Sequence, residues 1–311
     1  MGAATAERRA QARSEPEARR GRGPRIPFEV KMLSPGLIVL AAVSIFPFVY
    51  IILMSLSRVG LIGGISLDWV GLDNWTRLFT DEAVGASWIR SIVYFVATVG
   101  LELLGGVAIA LLVYELYWGR NLAISLSLMP MFMAPVIVGL LGRFLTDSTY
   151  GLYAWALRET GIFSGDILGS PTAAFVAVTL MDVWEWTPLI ALIVLAGLTS
   201  MPQQIMEASR VDGASYWQRL RYIVMPMLSG VLIVALLIRS MDALRYFDII
   251  TNTTNGGPAD ATKIVPIRLY ETSFRFFDLG YAAAIGLSML AVTILIANLF
   301  VRVLRGRGLA R

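Results

Sequence analysis

Two short stretches hold the side chains of this sequence best able to do chemistry. In "MDVWEWTPL", Asp182, Trp184, Glu185, Trp186 and Thr187 interrupt an apolar run. In "RSMDALRYFD", Asp242, Arg245, Tyr246 and Asp248 do the same. Carboxylates beside aromatic faces suit a polyhydroxylated ring, whose C–H face stacks on an aromatic while its hydroxyls donate to carboxylate oxygens. The alternative for the first stretch is that its tryptophans sit at a membrane–water interface. In the second, Asp242 and Arg245 are three residues apart and Asp248 three further on, so a helix would put them on one face. They either line a cavity and bind hydroxyls or neutralise one another as a structural ion pair. Glu102 is a weaker candidate, because it has no polar neighbours in sequence.

Other chemistry is excluded by residue type. The sequence has no histidine and no cysteine. Imidazole acid–base catalysis, thiolate nucleophiles, disulfides and thiol metal sites are therefore absent. Carboxylates alone would have to act as catalysts, and none are paired at a convincing spacing. No phosphate-binding loop of the G-x-x-x-x-G-K-[ST] kind occurs: the lysines are Lys31 and Lys263, and neither follows a glycine. The expectation is a chain that is not an enzyme, holds no metal or cofactor, and hydrolyses no ATP itself.

The elements that must position these residues are membrane helices. Of 311 residues, 57% are hydrophobic and 15% charged, against about 25% charged in soluble domains. Six apolar segments fall near 34–56, 88–115, 122–144, 173–198, 227–250 and 281–304, each close to the ~20 residues that cross a bilayer. An all-α integral membrane domain is expected over 32–311. The fifth segment carries Arg239, Asp242, Arg245 and Asp248 in its last third, and the third should bend at Pro130 and Pro135. Residues 1–31, with Arg8, Arg9, Arg13, Arg19, Arg20, Arg22 and Arg25, read as a disordered basic cytoplasmic tail rather than a nucleic-acid arm.

Arginine placement sets the orientation. With the N-terminus inside, Arg120, Arg210, Arg219, Arg221, Arg302 and Arg305 are cytoplasmic, and so is the loop over 199–226. Both termini are then cytoplasmic. Trp69, Trp75 and Trp88, with Tyr150, Tyr153 and Trp155, mark the outer headgroup zone, while Tyr114, Tyr117 and Trp118 mark the inner one.

The 199–226 loop is too polar and too long to be a simple turn. Ser200 with Gln203 has capping-box spacing, which predicts a helix over 201–210. Asp212-Gly213 breaks it. Ser215 with Gln218 caps a second helix, "SYWQRLRYIV", that leads to Pro226. Such a pair presents a rigid knob, with Glu207, Arg210 and Asp212 on one side and Ile205, Met206 and Ala208 on the other. It would serve as a docking surface for a soluble partner or rest on lipid headgroups.

Glu207-Ala208, Asp212-Gly213-Ala214, Ile223 and Pro226 resemble the "EAA" loop of ABC importer permeases. Ser209, Leu220 and Met225 depart from its usual residues. "YFDIITNTTNGGPADAT", with Asn255, Gly256, Gly257 and Pro258, is similar to the outer loop of sugar-importer permeases, as are "GLDNW" at 71–75 and "YGLY" at 150–153. The Gly-Gly-Pro loop resembles that of the first-subunit permease of maltose importers, and "RSMDALRYFD" resembles the trehalose-importer version of that subunit. The resemblance implies a six-span type I ABC importer permease in a bacterial cytoplasmic membrane, paired with a second homologous permease. Two ATPase subunits holding ATP and Mg would receive the loops, and an extracytoplasmic binding protein would deliver a sugar, expected to be a disaccharide such as trehalose or maltose. Glu207, Ala208, Arg210, Asp212, Gly213 and Ala214 would then couple to an ATPase. A proton-coupled secondary transporter using Asp182, Glu185 and Asp242 as relays is the alternative; it shows no inverted repeat and leaves the loop unexplained.

Overall fold

A chain in hydrocarbon has to satisfy its backbone hydrogen bonds internally, and helices do so within a single segment. The computed structural model describes residues 28–306. The expected basic tail thus lies outside the described residues as far as position 27. Its last positions, expected to be disordered, instead begin the helix α1 (Phe28–Ser55), because the apolar run reaches back past Lys31. The chain divides into two units, Met1–Tyr50 and Ile51–Arg311. The described part of the first is one apolar helix with Pro35 and Pro47 inside it.

The second unit runs through β1 (Ser57–Gly60), β2 (Ser66–Trp69), α2 (Asp73–Thr80), α3 (Glu82–Glu115), α4 (Arg120–Leu128), α5 (Pro135–Leu145), α6 (Leu152–Glu159) and α7 (Pro171–Thr199). It continues through α8 (Gln203–Val211), α9 (Tyr216–Ala243), α10 (Asp248–Thr253), α11 (Val265–Phe274) and α12 (Leu279–Gly306). The two strands form a short antiparallel hairpin, with Ser57 opposite Trp69, which the sequence reading did not anticipate.

Among the described residues, α1, α3, α7, α9 and α12 are long and apolar enough to cross a membrane. The expected third span is a broken pair. α4 passes through a single 3-10 turn at Pro130–Phe132, and Ala134, extended at ψ 134°, precedes Pro135 at the start of α5. A proline favours an extended residue before it and suits the first helical turn after it, so the chain restarts rather than merely bends. The fifth span also ends early, at Ala243 rather than near 250. Leu244–Phe247 form a turn, and α10 restarts at Asp248.

α3 and α7 make the most extensive helix pair of this unit. Gly106 permits it: a Cβ there would lie 2.7 Å from the Ile190 side chain and 3.0 Å from the Ala191 nitrogen. Close backbone approach through small residues is the common way membrane helices gain packing. Beside this contact Ala110, Val113, Ile190, Val194, Leu195, Leu198 and Leu228 form one apolar core. A second gathers Val138, Val178, Ile249, Ile250, Ile264 and Ile267 around Tyr94 and Tyr246. A third holds Leu78, Val84, Val265, Tyr281 and Ile285. Trp75 and Trp88 pack on this third core, while Trp69 is exposed.

Candidate functional site

Three helices bring their charges to one buried point. α3 supplies Glu102, α7 supplies Asp182 and α9 supplies Arg239, all with fully buried side chains. Arg239 Nε donates to Glu102 Oε2 at 2.7 Å and Nη2 to Glu102 Oε1 at 2.8 Å, a bidentate fork. Nη2 also donates to Asp182 Oδ1 at 2.6 Å, and Nη1 to Asp242 Oδ2 at 2.9 Å. The other oxygen of Asp182 accepts from Tyr94 Oη at 3.0 Å. Glu185, one helical turn from Asp182, accepts from Tyr246 Oη at 2.8 Å. Tyr94 and Tyr246 stack with centroids 6.4 Å apart. The guanidinium stands 5.2 Å from the Trp186 ring centroid and 5.6 Å from that of Tyr246.

An isolated charge inside a span is expensive, so an intramembrane arginine needs carboxylates around it. Here they come from three helices, and the network ties those helices together. It also corrects the sequence-based pairing. Asp242 bonds Arg239, not Arg245; Arg245 is exposed and donates Nε to the Met241 carbonyl at 3.0 Å. The turn after Ala243 breaks the helical register that would have kept Arg245 and Asp248 on the Asp242 face, and Asp248 is exposed as well. Trp184 is 51% exposed and outside the network. Of the candidates, Asp182, Glu185, Trp186, Asp242 and Tyr246 come together. Glu102, ranked as weaker, and Arg239 and Tyr94, not singled out as candidates, join them. The available signal was Arg239 itself: a lone cation in an apolar helix implies carboxylates on its neighbours. No group of three or more such side chains among the described residues could hold a metal ion. The carboxylates surround a guanidinium instead.

At the opposite end, the polar loop folds as two helical pieces. α8 ends with Gly213 at φ +73°. Gly213 N–H bonds the Arg210 carbonyl at 3.1 Å and Ala214 N–H the Ser209 carbonyl at 3.0 Å, the paired bonds of a Schellman ending. Ser215 then accepts from Gln218 N–H, and the Gln218 side chain accepts from Ser215 N–H, completing the expected capping box. The Ser200–Gln203 box does not form. α7 runs on to Thr199, Ser200 Oγ donates to the Gly197 carbonyl at 2.8 Å, and Pro202 stands at the cap of α8. The second piece leads past Pro226 into the fifth span, as expected. A π turn over Leu220–Val224, in which Met225 N–H bonds the Leu220 carbonyl, carries it into the span as one helix. The wider turn absorbs the donor that proline lacks.

Met201, Met206 and Leu220 pack on the apolar core, and Ser209 is buried with its hydroxyl on the Met206 carbonyl. Glu207, Ala208, Arg210, Val211 and Asp212 are exposed, and Ala214 is half-buried. Ala208 and Ile205, expected on the packed side, face outward instead, since Ser209 takes the inner position. Trp217 and Tyr222 extend the exposed face along the second piece.

The Gly-Gly-Pro loop, expected on the outer side, is ordered by its threonines and charges. Asn255 and Gly256 have φ +50° and +87°. Buried Thr262 donates to the Gly257 carbonyl at 2.8 Å and meets Thr254 Oγ1 at 2.7 Å. Beyond Pro258, Asp260 takes Lys263 at 2.6 Å and Arg268 at 3.1 Å, and Lys263 also reaches Glu271 at 2.9 Å. The Lys263 hydrogen bond, together with the Lys263 and Arg268 charges, holds the Asp260 carboxyl below the ordinary carboxylate range.

The profile of the family described as "Binding-protein-dependent transport system inner membrane component" matches residues 31–307. The trehalose/maltose transport system permease protein MalF of Thermococcus litoralis is 34% identical over 240 residues, 77% of this chain and 80% of that protein. The sulfoquinovosyl glycerol transport system permease protein SmoG of Agrobacterium fabrum is 29% identical over 280 residues, 89% of this chain and 90% of that protein. Among solved structures, a chain of a bacterial alginate ABC transporter in complex with an alginate pentasaccharide-bound periplasmic protein superposes with TM-score 0.78. It is 20% identical, over 90% of this chain and 94% of that one, a likeness of fold.

Proposed function

The chain belongs to the family of binding-protein-dependent transport system inner membrane components, and from that premise we propose that it is one of two permeases in an ATP-driven sugar importer. It is a multi-pass membrane protein. In our reading it lies in a bacterial cytoplasmic membrane with both termini inside. A second homologous permease completes the pathway, two ATPase subunits drive it, and an extracytoplasmic binding protein delivers the sugar. ATP and Mg sit on the ATPases.

The observation that carries this reading is the α8 ending. A rigid short helix, closed by Gly213 and seated on the core through Met206 and Ser209, holds Glu207, Arg210 and Asp212 in solvent. None of these three makes a salt bridge among the described residues, so their charges are free for a partner. An ATPase cleft that closes on ATP would push this knob. The Ser215 capping box and the unbroken helix through Val224 would pass the motion directly into α9. α9 carries Arg239 and Asp242, so the push reaches the buried network.

That network is the proposed sugar path. Asp242 is its open member, with a side chain 46% exposed, and Trp186 supplies an aromatic face. The substrate we assign is a disaccharide of the trehalose or maltose kind, supported by this chemistry and by the name of the Thermococcus litoralis relative. Gentle extraction of the tagged chain from its own host, with mass spectrometry of its companions, tests the assembly. A phosphate-loop ATPase and a second such permease in fixed ratio are expected. Recovery of the chain alone or as a homodimer would overturn the reading.

A further inference from the structure

We propose that the buried network makes this an uncharged-substrate route, in which Asp242 and Glu185 admit a neutral polyhydroxylated molecule and reject one bearing phosphate, sulfonate or carboxylate. The inference rests on the reading that the network lines the sugar's path.

The argument starts from the guanidinium. Arginine carries five N–H donors, and four of those on Arg239 are spent on Glu102, Asp182 and Asp242. An anion arriving at the network would find one remaining N–H, on a nitrogen already bonded to Asp242. The nearest other cation in sequence, Arg245, bonds none of these carboxylates and is exposed. Against Arg239 stand the four carboxyl groups of Glu102, Asp182, Glu185 and Asp242, and Glu185 is answered only by a tyrosine hydroxyl. Only protonation of every one of them would leave the network positive. A like charge brought into such a place is opposed strongly, because the surroundings screen it poorly.

A neutral sugar meets the opposite situation. Its hydroxyls donate to Asp242, whose carboxylate is half open. Its oxygens accept from neutral donors, and one is on hand: Trp186 Nε1 is buried without an acceptor, on the residue whose ring stands 5.2 Å from the guanidinium. The indole N–H and the spare guanidinium N–H suit hydroxyl oxygens, which need single, directional partners. A phosphate needs several donors and a surplus of positive charge.

The test uses the intact importer complex as purified, without binding protein, so that the permeases' own preference is read. Equilibrium dialysis with labelled trehalose and maltose is compared with their phosphate monoesters. The neutral sugars are expected to bind at least about tenfold more tightly than the esters. The gap should narrow in Asp242→Asn and in Glu185→Gln, with the melting temperature of each variant as the check on folding. Equal or tighter binding of the esters would overturn the inference and leave the importer reading standing. A gap unchanged in both folded variants would remove these two residues as its cause. If no sugar binds, and ATP-driven uptake is unaltered by either substitution, the path does not run through the network, and the inference falls with that reading.

Discussion

Arg239 and Glu102 meet through two parallel hydrogen bonds, at 2.7 and 2.8 Å, with both side chains fully buried. They lie 137 residues apart in sequence, and the pair ties α9 to α3. Removing one partner of a buried pair leaves the other charge uncompensated, at a cost of about 3–5 kcal/mol. Arg239→Gln should therefore lower the thermal midpoint of the detergent-purified protein sharply. The double variant with Glu102→Gln should recover part of that loss. A double variant no more stable than Arg239→Gln would mean that the pair is not the unit of stability.

Glu207 is exposed and makes no salt bridge among the described residues, so its removal costs the fold nothing obvious. Glu207→Ala should insert and melt as the unaltered chain does, while binding-protein-stimulated ATP hydrolysis by the assembled complex falls severalfold. Normal stimulation in that variant would contradict the docking role of α8.

Gly213 holds φ +73° at the end of α8. A β-branched residue in that conformation is strained by roughly 1–2 kcal/mol. Gly213→Val should impair coupling much as Glu207→Ala does, and Gly213→Asn, which tolerates the left-handed region, should be nearly silent. Equal effects from Val and Asn would show that the side chain, not the backbone, matters there.

The Gly-Gly-Pro loop should loosen in acid. Asp260 is held below the ordinary carboxylate range chiefly by the Lys263 hydrogen bond, with the Lys263 and Arg268 charges adding to it. Its stabilising contribution is fully present above the unfolded value of about 3.9. It is lost as pH falls through the lower folded value. Lys263 also contacts Glu271, which pairs with Arg275, so the cluster is a network of both signs. Hydrogen exchange over 255–263 should show protection at neutral pH that Asp260→Asn lacks, with the two proteins converging in strong acid. Protection identical in both at neutral pH would exclude the ion cluster as the loop's support.

Much of the fold was legible in sequence because membrane helices announce themselves by length and apolarity. The α8 break was legible for a local reason as well: Gly213 and the Ser215–Gln218 box are short-range signals. The Ser200–Gln203 pattern carried the same signal and failed, since α7 runs on to Thr199 and occupies Ser200's hydroxyl. Pro130 and Pro135 marked a disturbed span, but whether two prolines bend a helix or divide it depends on the packing around them. The candidate site was half legible. Asp182, Glu185, Trp186, Asp242 and Tyr246 were visible as polar residues in apolar runs. Their true partner was not, because helix periodicity pairs Asp242 with Arg245 only if the helix continues, and it stops at Ala243. Glu102 had no polar neighbour in sequence, since its partner comes from another helix.

The measurement that tests the central claim most directly is the energy source of uptake. The complex is reconstituted into proteoliposomes with ATP enclosed, the labelled sugar is presented by its binding protein outside, and a protonophore is added in parallel. Uptake should require enclosed ATP and survive the protonophore. Uptake indifferent to ATP and abolished by the protonophore would contradict the account.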